Sequence, residues 1–417
     1  MYMKDMILRI WKKWFGQTTA KVEDILCEEP ASTPSLHEKP ASSLPMLKGL
    51  EKYLRSHYDF RFNVLTEQAE IARKGESDFR PVTQRSANTL CLDARDHGIN
   101  CWDKDVTRLL NSERLADFHP FLAYMDGLPQ WDGIDRITPL ALRVSPAEHW
   151  VSGFHKWLLG MAAQWSGRMG RCANVVAPLL VSPRQGMGKS TFCRLLMPES
   201  LANYYTDSFD LNSPAGCEQK LSLFGLVNLD EYDKLSPRKL PLLKNLMQMT
   251  SLHYRKAHRV QYSHLPRIAS FIGTSNRMDL LNDPTGSRRY LCVELEHKID
   301  CTPLEHKQLF AQLKAELDAG ERYWFTPDEE KELMEHNRPF YAYPPEHDVF
   351  FRRFRLPEEG EDYELRASGE LYTRLSHDFP KEMQGMNINR FGRLLTSLGA
   401  ERVHTVKGNM YKVVMVA

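Results

Sequence analysis

Gly186, Gly188, Lys189 and Ser190 stand in the order that a cradle for phosphate requires. The stretch Pro183-Arg184-Gln185-Gly186-Met187-Gly188-Lys189-Ser190 matches G-x-x-x-x-G-K-[ST] at every fixed position but the first, where proline replaces glycine. The two glycines let backbone N–H groups turn inward around an anion. Lys189 can reach terminal phosphates, and the Ser190 hydroxyl can ligate magnesium. The expected seat of ATP and Mg2+ is therefore Arg184, Gln185, Gly186, Met187, Gly188, Lys189, Ser190 and Thr191. Pro183 is compatible with it, because its fixed φ suits a chain leaving a strand.

Further along, Asp230 and Glu231 close the strand-like Leu226-Val227-Asn228-Leu229, whose Leu226, Val227 and Leu229 are branched and apolar. Asp230 is expected to share the magnesium ion with Ser190, and Glu231 to act as the base that polarises an attacking water. Asn276 ends a third strand-like stretch, Ile268–Asn276. A carboxamide donates through its NH2 and accepts through its C=O, so it can orient that water or read a γ-phosphate. Arg288 and Arg289 lead into the strand-like Tyr290–Leu295. Neighbours at the start of a strand point to opposite faces, so one of the two is expected to reach a phosphate as an arginine finger, worth on the order of 10³–10⁵ in rate where one is used.

These side chains need elements that bring them to one edge. Val175–Val181 is an apolar run before the glycine loop, and Thr191–Met197 reads as a helix after it. Leu221–Glu231 and Ile268–Asn276 read as buried strands. Parallel strands in an open α/β sheet deliver their last side chains to the edge where ligands bind. Ala147–Gly167 reads as a helix with Trp150, Phe154, Trp157, Leu158, Met161 and Trp165 along a core-facing side, and Pro237–Thr250 as another helix.

The ordered set Gly186–Ser190, Asp230-Glu231, Gly273–Asn276 and Gly286–Arg289 resembles the virulence-associated protein E family. So does the lead-in His119-Pro120-Phe121-Leu122 with Leu128-Pro129-Gln130-Trp131-Asp132-Gly133-Ile134-Asp135-Arg136. The resemblance spans roughly residues 50 to 345 and is nearest to versions in Bacteroidetes genomes and mobile elements. It implies the ATPase half of a phage or plasmid primase–helicase, related to superfamily 3 helicases of the AAA+ class. The fold class it implies is α/β: an AAA+-like P-loop sheet with helices on both faces. An N-terminal mixed α/β region and a C-terminal winged-helix-like domain are expected to flank that sheet.

In superfamily 3 enzymes the stretch matching Leu252–Arg267 holds a hairpin that grips DNA. Here that stretch carries Arg255, Lys256, Arg259 and Arg267 among Tyr254, His258 and Tyr262 and has no acid. Cations interleaved with rings suit phosphate contact and base stacking, though the same cations could face a neighbouring subunit. At the C-terminus, helices Ala367–His377 and Ile388–Leu398 precede strands Arg402–Val406 and Met410–Val416. Arg390, Arg393 and Lys407 would line a recognition helix and wing on DNA, or a wing used on protein.

A net charge of +1 over 417 residues excludes a uniformly basic nucleic-acid coat, so any DNA contact is local. Eight cysteines form no C-x-x-C pair, and fifteen histidines no finger-like cluster, so no structural zinc is expected and a reducing cytoplasm is the expected location. No apolar run approaches the ~18 residues of a membrane span.

The expected organisation is a basic amphipathic helix at 1–17, a Pro/Ser-rich linker at 18–46, a mixed α/β region at 47–145, the ATPase at 146–330 and the C-terminal domain at 345–417. Ile7, Ile10, Trp11, Trp14 and Phe15 share one face of the first helix, which would dock on a partner protein, on its own protein or on a membrane surface. Within 47–115, Phe60–Leu65 reads as a strand, and Thr83–Asp96 and Asp103–Asn111 as helices. The expected activity is magnesium-dependent ATP hydrolysis by a homo-oligomeric ring. Such a ring would act on single-stranded or forked DNA as a helicase, translocase or replication-initiation factor of a mobile element. The rival is an ATPase switch in phage defence or regulation without unwinding.

Overall fold

The computed structural model describes residues 43–170, 172–254, 263–281, 284–342, 345–358, 360–406 and 408–416. The amphipathic stretch 1–17, nearly all of the linker, and Arg255, Lys256, Arg259 and Lys407 lie outside the described residues. Contacts divide the chain into two units, one ending at His57 and joined to Gln84–Arg108, the other formed by Tyr58–Thr83 and Leu109–Ala417.

The first unit is helical. It holds α1 (Ser43–His57), α2 (Gln84–Asp96) and most of α3 (Asp103–Leu110). The start of α1 at Ser43 shortens the linker expected to run to residue 46. In α2 the buried Ala87, Leu90, Cys91 and Ala94 follow the i, i+3, i+4, i+7 spacing of one helical face.

The second unit opens with a small sheet of order β3-β2-β1-β4, built from β1 (Tyr58–Asn63), β2 (Gln68–Arg73), β3 (Arg80–Pro81) and β4 (Ala116–Phe118). Glu67, at φ 52, turns β1 into β2. Two short helices, α4 (Pro120–Asp126) and α5 (Ile137–Leu142), lead to α6 (Glu148–Trp165). Trp150, Phe154, Trp157, Leu158, Met161 and Trp165 of α6 are all fully buried, as the aromatic stripe predicts.

The central sheet contains β5 (Ala177–Val181), β6 (Tyr205–Thr206), β7 (Leu226–Leu229), β10 (Ser270–Ser275) and β11 (Tyr290–Glu294). Their order is β11-β5-β10-β7-β6, and every pairing is parallel. Alternate residues sort to opposite faces. Leu180, Leu226, Ile272, Leu291 and Val293 join α6 in one core, while Leu179, Val181, Val227, Leu229, Phe271 and Cys292 join a second core on the other face. Covering helices are α7 (Lys189–Leu195), α8 (Pro214–Leu223), α9 (Leu240–Gln248), α10 (His306–Asp318) and α11 (Pro327–His336). A Cβ on Gly273 would lie 2.6 Å from Leu179 Cδ2 and 3.1 Å from Leu229 O, so a side chain there would force its neighbours to shift.

Between α9 and β10, the strands β8 (Ser251–Tyr254) and β9 (Ser263–Pro266) pair antiparallel. The C-terminal part has its own core around Phe350, Leu375, Phe391, Leu395 and Val413. It is formed by α12 (Pro345–Arg353), α13 (Ser368–Asp378), α14 (Ile388–Ser397) and the strands β12 (Phe354–Arg355), β13 (Glu364–Ala367), β14 (Arg402–Thr405) and β15 (Gly408–Met415). β15 pairs antiparallel with each of the other three. Among the described residues, no helix is long and apolar enough to cross a membrane.

Candidate active site

Successive strands are laid down from β6 back toward β5, and then β11 lands on the far side of β5. β5 is followed by the far-edge strand β6, whereas its neighbour β10 is followed by β11 on the other side, so the connections leave these two strands in opposite directions, and the carboxyl ends there are where an open parallel sheet leaves a crevice. β5, β10 and β7 are adjacent, so the residues just past their ends must meet.

Past β5 the chain makes the glycine loop. Gly186 and Gly188 have φ of 72 and 86, in the left-handed region that glycine occupies without strain. Gly188 caps α7, whose first residue is Lys189. A buttress follows β11: Ile299 N donates to Met187 O at 3.0 Å, and Cys301 Sγ sits 3.7 Å from Gly188 O. Arg184 donates to the Glu296 carbonyl. Arg184, Gln185, Gly186 and Thr191 are exposed, whereas Met187 is buried.

Lys189 is 9% exposed, and its ammonium is fully engaged. It donates to Ser182 O at 2.8 Å, to Ser275 O at 2.9 Å and to Asn276 Oδ1 at 2.7 Å. Burial pulls its pKa below the ordinary lysine value, opposed by the charges of Asp233 and Asp230. Ser190 Oγ donates to Asp230 Oδ1 at 2.9 Å, and Thr274 Oγ1 donates to the same oxygen at 2.7 Å. Thr274 Oγ1 also accepts from Glu231 N at 3.2 Å. Glu231 has φ 52, a left-handed conformation that costs a non-glycine residue on the order of 1–3 kcal/mol. That turn ends β7 abruptly, and the Glu231 carboxylate takes Lys234 Nζ at 2.6 Å.

Lys189, Ser190, Asp230, Glu231 and Asn276 are thus brought together. Reading the sequence passed over three residues that tie them. Ser182 supplies a carbonyl, Thr274 bridges two strand tips, and Asp233 accepts from Ser275 Oγ at 3.0 Å and from Asn276 N at 3.2 Å. Asp233 lies two residues beyond the Asp-Glu pair, which is the signal that could have marked it.

The arginine pair differs from expectation. Arg288 and Arg289 end a 3₁₀ turn, Pro284–Arg289, rather than opening a strand, so the opposite-faces argument does not apply to them. Arg288 Nη1 donates to Glu330 Oε2 on α11 at 2.8 Å, and Arg289 is half-buried.

Among the basic residues, Arg267 is not a surface cation. It is fully buried, and its guanidinium donates to Ala269 O at 2.7 Å, Asn174 O at 3.0 Å and the Met247 carbonyl at the end of α9. A helix carboxyl end presents unsatisfied carbonyls with negative partial charge, which a cation can fill. Burial nonetheless lowers its pKa to about 9. Arg390 and Arg393 are exposed on α14.

No curated protein matches the chain. The solved apo structure of the NrS-1 C-terminal region (305–718) is similar at 13% identity and a TM-score of 0.45, covering 89% of this chain and 99% of that one. The A-form apo structure of the same region gives 12% identity and a TM-score of 0.44, with 89% and 100% covered. Residues 343–413 match a family described as a domain of unknown function, DUF3874. Residues 125–342, just over half of the chain, match the virulence-associated protein E-like domain, and the protein belongs to that family.

Proposed function

We propose that this protein is a magnesium-dependent ATPase with an AAA+-like P-loop domain. In this reading it works as a ring on DNA, as a helicase, translocase or replication-initiation factor of a mobile element. The observation that carries the reading is the direct bonding of Lys189 to Asn276 and of Ser190 to Asp230, across the tips of three adjacent parallel strands.

The donor set fits the groups proposed. Ser190 Oγ and Asp230 Oδ1 are hard oxygens 2.9 Å apart, suited to hold Mg2+. Bound there, the ion would offset charge on the β- and γ-phosphates. The loop N–H groups around Gly186 and Gly188 bind phosphate, and Lys189 adds a cation whose partners are all neutral. Glu231 accepts a proton from the attacking water once it gives up Lys234, and Asn276 orients that water. Arg288 or Arg289 serves a neighbour's phosphate in a head-to-tail ring. DNA contact is assigned to Arg255, Lys256 and Arg259 in the segment joining β8 to β9, and to Arg390, Arg393 and Lys407 of a winged-helix-like C-terminal domain.

The test is ATP turnover and strand separation by the full chain, with and without forked DNA. Hydrolysis that needs Lys189 and rises with DNA agrees with the reading. Hydrolysis indifferent to every nucleic acid sinks the DNA part, and no hydrolysis by a folded protein sinks the ATPase itself.

A further inference from the structure

An ammonium group has three N–H donors and no acceptor. Lys189 spends all three on its own chain, at 2.7–2.9 Å, in a position that is 9% exposed. A phosphate oxygen can therefore reach this ammonium only if one partner lets go.

The three partners are not equally able to leave. Ser182 O and Ser275 O are backbone, and Ser275 O also accepts from Ser182 N at 3.1 Å where β5 and β10 part. Releasing either would mean moving a strand end. Asn276 Oδ1 belongs to a partly exposed side chain, and a rotation about its own bonds removes it. Its backbone stays fixed meanwhile, because Asn276 N donates to Asp233 Oδ1.

We infer that Asn276 is a positioning residue that competes with the nucleotide for Lys189. Its carbonyl oxygen holds the ammonium. When a phosphate takes that place, the carboxamide is released, with its backbone still anchored, to face the new ligand. Asn276 then lowers affinity for nucleotide while making its own readiness depend on an occupied site. This inference rests on the nucleotide reading above and adds the sign of one side chain's contribution to binding.

MgADP separates the two ideas, because it has no γ-phosphate for the released amide to contact. Calorimetric titration of the full chain with MgADP is expected to show Asn276→Ala binding about three- to tenfold tighter than wild type, the range given by one lost competing hydrogen bond. Asn276→Asp, which sets a carboxylate against the ammonium, is expected to bind more weakly than wild type. A residue that merely supported the fold would push both variants the same way. Equal or weaker binding by Asn276→Ala, with an unchanged melting temperature, overturns the competition while leaving the nucleotide site intact. A folded wild type that takes up no MgADP overturns both.

Discussion

The Asn337 carboxamide, just past the end of α11, donates to the carbonyl of Tyr290, the first residue of β11, at 2.8 Å. It also donates to Ser287 O at 2.9 Å and accepts from Cys292 N at 3.2 Å. One side chain, 1% exposed, thus brackets Arg288 and Arg289. Asn337→Ala would leave these backbone groups without their partner inside the protein. It should cost about 2–4 kcal/mol, read as a lower urea midpoint.

Arg288 has a partner within its own chain, Glu330, through a pair 42% and 23% exposed. Exposed pairs of this kind contribute about 0–1 kcal/mol, so Glu330→Ala should change stability little. If an arginine serves a neighbouring subunit, mixing Lys189→Ala chains with chains lacking that arginine should regain ATP turnover that neither variant has alone. Running Arg288→Ala and Arg289→Ala separately identifies which one it is. Failure of both mixtures removes the shared site.

Glu329 anchors the other end of α11. It completes a capping box with Thr326 and pairs with Arg322 and Lys156. The Arg322 guanidinium, then Lys156 and the Thr326 N–H, hold its carboxyl well below the usual range. A depressed pKa gives stability that is present above the unfolded value and lost as pH falls through the folded one. Glu329→Gln should therefore melt lower than wild type by a constant margin from about pH 8 to pH 5, a margin that shrinks below about pH 4. A margin that grew on acidification would contradict the pairing.

Gly188 is the loop glycine with least room. A Cβ there would stand 3.3 Å from Cys301 Sγ and 3.4 Å from Ile299 O, at φ 86. Gly188→Ala should lose about 1–2 kcal/mol of stability through backbone strain, with a larger loss of MgADP affinity because the cradle opens. Thermal melts and titration of the same sample read both.

The parts of this site legible in sequence are those where one segment carries its own instruction. Gly186, Gly188, Lys189 and Ser190 lie within five residues, and Asp230 and Asn276 each close a mostly apolar run of the kind a strand covered on both faces needs. The aromatic side of α6 was readable because its period was unbroken. What stayed hidden depends on partners distant in sequence. Arg267 sits in a run of cations and reads as surface, until its neighbours turn out to be the carbonyls ending α9. Asn337 lies 47 residues beyond Tyr290, with no local mark of the clamp it makes. α11 went unread because charged residues far outnumber its single buried one, Leu333, and the burial of Leu309, Phe310 and Leu313 in α10 is decided by the core they share with α6 and the sheet.

The most direct measurement is a structure of the full chain with Mg2+ and a non-hydrolysable ATP analogue. Triphosphate oxygens are expected against the N–H groups of Gly186–Ser190 and on Lys189, with the metal touching Ser190 and Asp230. Nucleotide bound elsewhere, or Lys189 still holding Ser182, Ser275 and Asn276 with ligand present, would contradict it.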